Sequence, residues 1–199
     1  MATLEDVKVE FRDGVNTEGI TSRTIDFVKQ LGLESENFTI AVSSAARSPY
    51  DQARVMYENC ENPYKNPKLG VKSQYKLYAG GGDKVIDVYV KGSKAKGSTR
   101  DGVISQMHAK ILQVGPSRVS KHCVDTGIMN VLDVPFSTIK NKRNFRKLLA
   151  RHSPFPISRY LDENNNECFH LEFKIADLES FFSLRDLDQA VARDGFRAT

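Results

Sequence analysis

Residues 168–175 alternate between apolar and polar side chains more regularly than any other part of the chain. Such an alternation is typical of a strand with one face in a core and the other face turned away from it. The two faces would carry an apolar set and a polar set: Phe169, Leu171, Phe173 and Ile175, and Cys168, His170, Glu172 and Lys174. The segment therefore predicts a strand with His170 on the face opposite the core.

A second apolar segment, Val131-Leu132-Asp133-Val134, predicts another strand and contains one acid. Burying a carboxylate there is costly unless it is paired or bound to a cation. Together with His122 and His170, Asp133 would complete a common ligand set for a catalytic zinc, which keeps its fourth position open for water. A second carboxylate must act as the base, and Glu167 lies three residues before His170.

The order of these residues resembles the D-Ala-D-Ala carboxypeptidase and dipeptidase family of zinc peptidases, which includes many phage endolysins. That family has Ser-x-His, then an Asp on a strand, then Glu-x-x-His. The corresponding residues here are Ser120-Lys121-His122, Asp133 and Glu167-Cys168-Phe169-His170. An earlier segment with arginine, serine, proline and glutamine also matches, as Ser43-Ser44-Ala45-Ala46-Arg47-Ser48-Pro49-Tyr50-Asp51-Gln52. The likeness covers roughly residues 38–60 and 117–175.

The resemblance implies a role for each matching residue. His122, Asp133 and His170 would hold zinc, and Glu167 would be the general base. Arg47 would hold a carbonyl or carboxylate of the substrate and stabilise the oxyanion, with Ser120 and Gln52 also contributing to substrate binding. The implied substrates are the stem peptides of bacterial peptidoglycan, cut next to D-Ala or between L-Ala and D-Glu. A phage endolysin fits best, and a cytoplasmic D-Ala-D-Ala dipeptidase is next.

Two features depart from the family pattern. The family usually places its Asp seven residues after the first His, whereas Asp133 follows His122 by eleven, with Gly127 in the interval. Asp125, three residues after His122, is therefore an alternative ligand. In addition, the segment 61–105 is longer than a minimal domain of this type requires, and we interpret it as an extended insertion.

The three cysteines allow a different metal site. An odd number of thiols favours reduced cysteines over a disulfide framework. His122, Cys123, Cys168 and His170 could form a closed structural zinc site. Neighbouring residues on an extended segment point to opposite sides, which argues against His122 and Cys123 sharing one metal.

The remaining segments predict an α+β fold, with a small, mainly antiparallel central sheet flanked by helices and the zinc site on the sheet face. One domain would cover residues 1–199. Strands are predicted at 6–11, 38–43, 85–90, 129–134 and 168–175. Helices are predicted at 22–31, from Pro49 to about Asn59, from Asp101, at 137–150 and after Asp177. Residues 61–82 predict a loop, and residues 117–120 an extended lead into His122.

Composition narrows the classes of protein. Charged residues at 27% and hydrophobic residues at 40% are typical of a soluble globular chain, and no apolar run is long enough for a membrane span. The N-terminus lacks the features of a secretory signal, so we expect the protein to be cytoplasmic and to be released to the cell wall during phage lysis. We also expect it to be a monomer.

Two basic clusters, at 91–100 and 140–151, would attract anionic surfaces. They lack interleaved aromatic residues, and no nucleic-acid-binding motif is present, which makes nucleic acid an unfavoured partner. A non-catalytic protein of the same fold, either a polyanion binder or a phage particle component, is the alternative function.

Overall fold

The computed structural model of the chain describes residues 2–78, 80–164 and 166–195, with side chains as far as residue 186. The fold is α+β, as the sequence predicts. The strands are β1 (Lys8–Phe11), β2 (Thr39–Val42), β3 (Met129–Pro135), β4 (Arg159–Glu163) and β5 (Cys168–Lys174). The helices are α1 (Ser22–Glu34), α2 (Pro49–Glu61), α3 (Val71–Leu77), α4 (Gly81–Gly92), α5 (Arg100–Val114), α6 (Pro116–Val119), α7 (Lys142–Arg151) and α8 (Ile175–Gly195).

Short 3-10 helices cover Leu4–Asp6, Lys121–Cys123 and Phe136–Thr138. Among the described residues, no helix combines the length and the apolar character needed to cross a membrane. The chain divides into two compact units. The sheet unit comprises residues 1–45, 125–162 and 167–199, and the helical unit comprises residues 46–124 and 163–166. That residues 1–199 form one domain stays a prediction.

The sheet unit contains a parallel pair, β1 with β2, and a three-stranded antiparallel sheet in the order β3-β5-β4. β3 and β5 are paired over their whole length, from Met129 opposite Lys174 to Pro135 opposite Cys168. The core-facing residues of these two strands are fully buried: Leu132, Val134, Phe169, Leu171 and Phe173. The predicted division of β5 into an apolar and a polar face is confirmed, except that Ile175 begins α8.

A buried asparagine ties β3 to the start of α1. The side-chain oxygen of Asn130 accepts hydrogen bonds from Thr21 N at 2.9 Å and from Thr24 Oγ1 at 2.7 Å. Its side-chain nitrogen donates to the carbonyl oxygen of Gly19 at 2.9 Å. Because a buried amide is costly unless it is hydrogen-bonded, this network fixes where α1 begins relative to β3.

In the helical unit, α2 begins as predicted. Ser48 is its N-cap, with Oγ accepting a hydrogen bond from Asp51 N at 3.0 Å, and Pro49 occupies the first turn. The core of this unit consists of buried aliphatic and sulfur-containing side chains from α2, α4 and α5, among them Met56, Val85, Ile86, Ile104, Met107 and Ile111.

The sequence-based interpretation of residues 61–90 is wrong. The predicted loop at 61–82 contains α3 and the start of α4, and the predicted strand at 85–90 lies within α4. Val85, Ile86 and Tyr89 are buried on one face of that helix. Ile86 follows Val85 by one residue and Tyr89 follows it by four, so all three lie on one face of a helix. A short apolar segment of this kind is also typical of a strand, which explains the error.

Smaller differences occur elsewhere. Thr99 rather than Asp101 caps α5, and residues 117–120 are mostly helical because α6 covers Pro116–Val119. The helix predicted at 137–150 begins later, at Lys142, behind an Asn141 cap. β4 was not predicted from the sequence, because it contains few apolar residues and is partly exposed.

Candidate metal centre

Asp133 and His170 face each other on the antiparallel pair of β3 and β5. Directly opposed residues of an antiparallel ladder project from the same face, so the strand register brings the two side chains together. Oδ1 of Asp133 lies 2.9 Å from Nδ1 of His170, and the two residues are only 8% and 6% exposed. The pair occupies the face opposite the core, where the alternation places His170.

The backbone of Asp133 is held from its other side as well. Its N–H donates to the carbonyl oxygen of Ser44 at 2.9 Å, and its carbonyl oxygen accepts from Ser43 N at 2.9 Å. Ser44 and Asp133 form an antiparallel bridge. Asp133 is thus fixed between two neighbouring segments, which leaves its carboxylate little freedom to move away from His170.

His122 lies in the short 3-10 helix Lys121–Cys123 and is buried. Ser120 caps this turn, with Oγ accepting a hydrogen bond from His122 N at 3.3 Å. The carbonyl oxygen of His122 accepts from Arg47 N at 2.8 Å. Two residues predicted to bind substrate, Ser120 and Arg47, therefore contact the backbone of a predicted ligand.

His122, Asp133 and His170 form a buried group that could hold a metal ion, with one ligand atom from each within 4.8 Å of the others. Two imidazoles and a carboxylate are the donors that zinc prefers, and a cation would also offset the cost of burying Asp133. The group includes Asp133 and not Asp125. Asp125 is exposed, and its Oδ1 accepts a hydrogen bond from Gly127 N at 2.8 Å within a turn.

Glu172 is a further acid at this face, and the sequence makes it the rival of Glu167 for the base, or a residue that supports the ligand His170. It is 4% exposed, and its Oε1 lies 3.4 Å from Nε2 of His170 and 3.9 Å from Nη1 of Arg159. His170 therefore has a carboxylate beside each ring nitrogen. The alternation on β5 did place Glu172 on the same face as His170.

Glu167 lies immediately before β5 and is exposed. Its backbone has a positive φ of 54°, and its carbonyl oxygen accepts a hydrogen bond from Phe136 N at 2.7 Å. This left-handed conformation is uncommon for residues other than glycine. Glu167 is not a member of the three-residue group, and its role as base stays a prediction.

Arg47 and Gln52 are joined as neighbours at the start of α2. Nη1 of Arg47 donates to Oε1 of Gln52 at 3.1 Å, and Nε2 of Gln52 donates to the hydroxyl of Tyr78 at 2.9 Å. Gln52 is fully buried. These three residues form a hydrogen-bonded chain, which we call the Arg47 relay. Tyr78 was not predicted as a site residue, because the sequence predicts a loop at residues 61–82.

The group that holds the two histidines contains no cysteine. Cys168 is instead within ligand-atom reach of Asp133 and Glu163. Burial raises the pKa of the Cys123 thiol to about 11, although the nearby Arg47 cation acts in the opposite direction. The closed site of two histidines and two cysteines therefore finds no support in these positions.

Compared with models of protein families, with curated proteins and with solved structures, the chain shows no match. The resemblance to zinc peptidases stays a prediction made from the motifs.

Proposed function

We propose that the chain is a zinc-dependent peptidase that cleaves peptide bonds in the stem peptides of bacterial peptidoglycan, as a phage endolysin does. The observation that carries the proposal is the buried group of His122, Asp133 and His170. The order of the motifs in the sequence supports the choice of reaction. The proposal places the protein's action at the cell wall, after release from the cell in which it is made.

The donor set fits the proposed ion. All three residues are buried and offer imidazole nitrogen or carboxylate oxygen, and a set of three protein ligands is typical of a catalytic rather than a structural zinc. When bound, zinc supplies a Lewis acid and lowers the pKa of the water molecule that attacks the peptide.

Glu167 is the proposed general base. Its carboxylate takes a proton from the attacking water while the oxygen bonds to the carbonyl carbon of the peptide. It then delivers that proton to the nitrogen as the carbon–nitrogen bond breaks, so that an acid and a free amine leave the site. Exposure at the end of the β4–β5 hairpin leaves the Glu167 side chain accessible to a substrate.

Arg47 is the proposed substrate-binding cation. A guanidinium recognises carboxylates and developing oxyanions through paired N–H donors. Its Nη1 is anchored on buried Gln52, which orients the fork without neutralising its charge because the partner is an amide. Ser120 supports the site by capping the turn that carries His122.

The second candidate is a non-catalytic binder of anionic polymers. Exposed basic residues on α7 and just before it favour this candidate: Lys140, Lys142, Arg143, Lys147 and Arg151. Such a surface would bind a polyanion in a salt-dependent manner without cleaving it. The same surface would also suit an enzyme that works on an anionic wall, so activity has to separate the two candidates.

The test is digestion of purified peptidoglycan by zinc-loaded protein, with the new amino termini quantified and the fragments identified by mass spectrometry. We expect cleavage within the stem peptide, its loss in His170→Ala, and full activity in His108→Ala, which alters a histidine on α5 outside the metal group. A folded, zinc-loaded protein that binds peptidoglycan and releases no new amino terminus would favour the non-catalytic binder.

A further inference from the structure

Glu172 is the buried acid that the proposed mechanism does not use. It lies on β5 two residues after His170, so the strand pleat puts both side chains on the same face. In the β3–β5 register Glu172 is opposite Val131, as His170 is opposite Asp133. A carboxylate at 4% exposure requires compensating contacts, and those it makes identify its role.

The first contact is with His170. Oε1 of Glu172 lies 3.4 Å from Nε2, which is an ion-pair distance at which the two atoms do not have the geometry of a hydrogen bond. On the other side of the ring, Nδ1 lies 2.9 Å from Oδ1 of Asp133. The imidazole is therefore bracketed by two carboxylates, one at each nitrogen.

The second set of contacts fixes Glu172 itself. Its carbonyl oxygen accepts hydrogen bonds from Ser158 N at 3.0 Å and from Ser158 Oγ at 2.8 Å. Arg159 follows Ser158 in the chain and brings Nη1 to 3.9 Å from Oε1. The residue before β4 thus holds the backbone of Glu172, and the first residue of β4 brings a cation beside its carboxylate.

The two carboxylates must have different roles, because the two ring nitrogens of a neutral imidazole differ. A neutral ring carries one N–H, and a nitrogen that binds a metal cannot be the one that carries it. Asp133 belongs to the three-residue group with His122, whereas Glu172 does not. Nδ1, at 2.9 Å from Asp133, is thus the ring nitrogen nearer to another member of that group, and Nε2 is the ring nitrogen nearer to Glu172.

We propose that Glu172 is a positioning residue that accepts the Nε2–H of His170, so that the ring presents Nδ1 to the metal. This inference rests on the proposed metal centre. A carboxylate in this position fixes both the ring orientation and the tautomer of a histidine ligand, and removing such a partner typically weakens metal binding by about 10–100-fold.

The experiment measures zinc affinity and the His170 tautomer on the same protein. Affinity is determined by competition with a chromophoric chelator for the wild type, Glu172→Gln and Glu179→Gln. The last is a matched control, because Glu179 is an exposed acid on α8 that lies 3.9 Å from Nε of Arg23. Nitrogen-15 spectra of histidine-labelled, zinc-loaded wild type show which ring nitrogen carries the hydrogen, and His170→Ala assigns the signals among four histidines.

We expect zinc affinity to fall about 10–100-fold in Glu172→Gln and to stay unchanged in Glu179→Gln, with His170 in the Nε2–H form. A merely structural Glu172 would not determine the tautomer. Zinc bound through Nε2 of His170, or equal zinc affinity in Glu172→Gln and wild type, would overturn this inference but not the proposed metal centre. A folded wild type that binds no zinc would overturn the metal centre and the inference with it. If Glu172→Gln does not fold, the wild-type spectra still decide the matter.

Discussion

Two regions of the molecule hold the polar side chains that the proposed chemistry uses, and they hold them by different means. On β3 and β5, the strand register places Asp133 opposite His170, and backbone hydrogen bonds along both strands maintain that register. At the start of α2, Arg47 is oriented through side-chain hydrogen bonds, from its Nη1 to Gln52 and from Gln52 to Tyr78.

This difference determines how each region should respond to substitution. A register supported by a continuous ladder and a packed core does not shift when one polar side chain changes, so a strand variant should lose only the chemistry of the altered group. In the Arg47 relay, a substitution that removes one hydrogen bond should disturb the orientation of Arg47. Substitutions in each region can therefore test this difference.

The largest effect on rate is expected next to the strands, in Glu167→Gln. The amide keeps the shape of the side chain but cannot accept the proton of water, so the rate of peptide cleavage should fall roughly 10²–10⁴-fold. Zinc content and secondary structure should stay unchanged. Glu172→Gln, assayed at saturating zinc, should cost much less, and the opposite order of the two variants would show that the base is assigned to the wrong residue.

The next effect concerns the relay itself. Arg47→Ala should leave zinc in place and raise the activation barrier by about 2–4 kcal/mol, because the oxyanion loses a charged donor. Arg47→Lys should restore little, since a single ammonium cannot reproduce the two-pronged geometry of a guanidinium. Steady-state kinetics on a stem-peptide substrate provide the measurement, and wild-type kinetics in Arg47→Ala would remove this residue from the mechanism.

A smaller effect distinguishes two tyrosines, Tyr75 in α3 and Tyr78 at the C-cap of that helix. Tyr78→Phe removes the last hydrogen bond of the relay and should reduce kcat/KM by about tenfold or less, the value of one net hydrogen bond. Tyr75→Phe is the matched control. Its hydroxyl donates to Asp87 Oδ1 at 2.6 Å, a contact that raises the pKa of Tyr75 to about 12 and lies outside the relay. Equal kinetics in the two variants would mean that Tyr78 does not orient Arg47.

The smallest effect is on stability and lies away from both regions. His152 packs edge-on against Phe27 and Phe181, and its buried Nε2 has no hydrogen-bond partner among the described residues. Burial lowers the pKa of His152, with Glu34 acting in the opposite direction. The unfolded chain therefore takes up a proton first, so the contribution of neutral His152 to stability is complete above pH 6.5 and declines as the pH falls below it.

Urea unfolding at pH 7.5 and 5.5 measures this decline. The wild type should lose more stability on acidification than His152→Phe, which keeps an aromatic ring and removes the titration. Equal losses in the two proteins would contradict the assignment to His152.

The difference between the strand register and the Arg47 relay also explains which parts of the site could be predicted from the sequence. Strand periodicity is strong when one face is buried, so the alternation on β5 and the apolar segment around Asp133 correctly placed both residues on strands. The contact of Glu172 with His170 depends on side-chain rotamers that no periodicity specifies. The glycines and prolines of residues 61–82 predicted a loop, so no contact was predicted for Tyr78. Residues 85–90 show that a short apolar segment is compatible with a strand or a helix until its packing partners are known.

Metal analysis of the purified protein measures whether His122 and His170 bind one zinc ion together with a strand carboxylate. After zinc reconstitution and removal of free metal, we expect about one zinc per wild-type chain. We expect none in His122→Ala or His170→Ala, and an unchanged zinc content in His108→Ala, Cys123→Ser and Cys168→Ser. A folded wild type without zinc would contradict the proposed metal centre, and loss of zinc in either cysteine variant would replace the proposed catalytic site with a cysteine-ligated one.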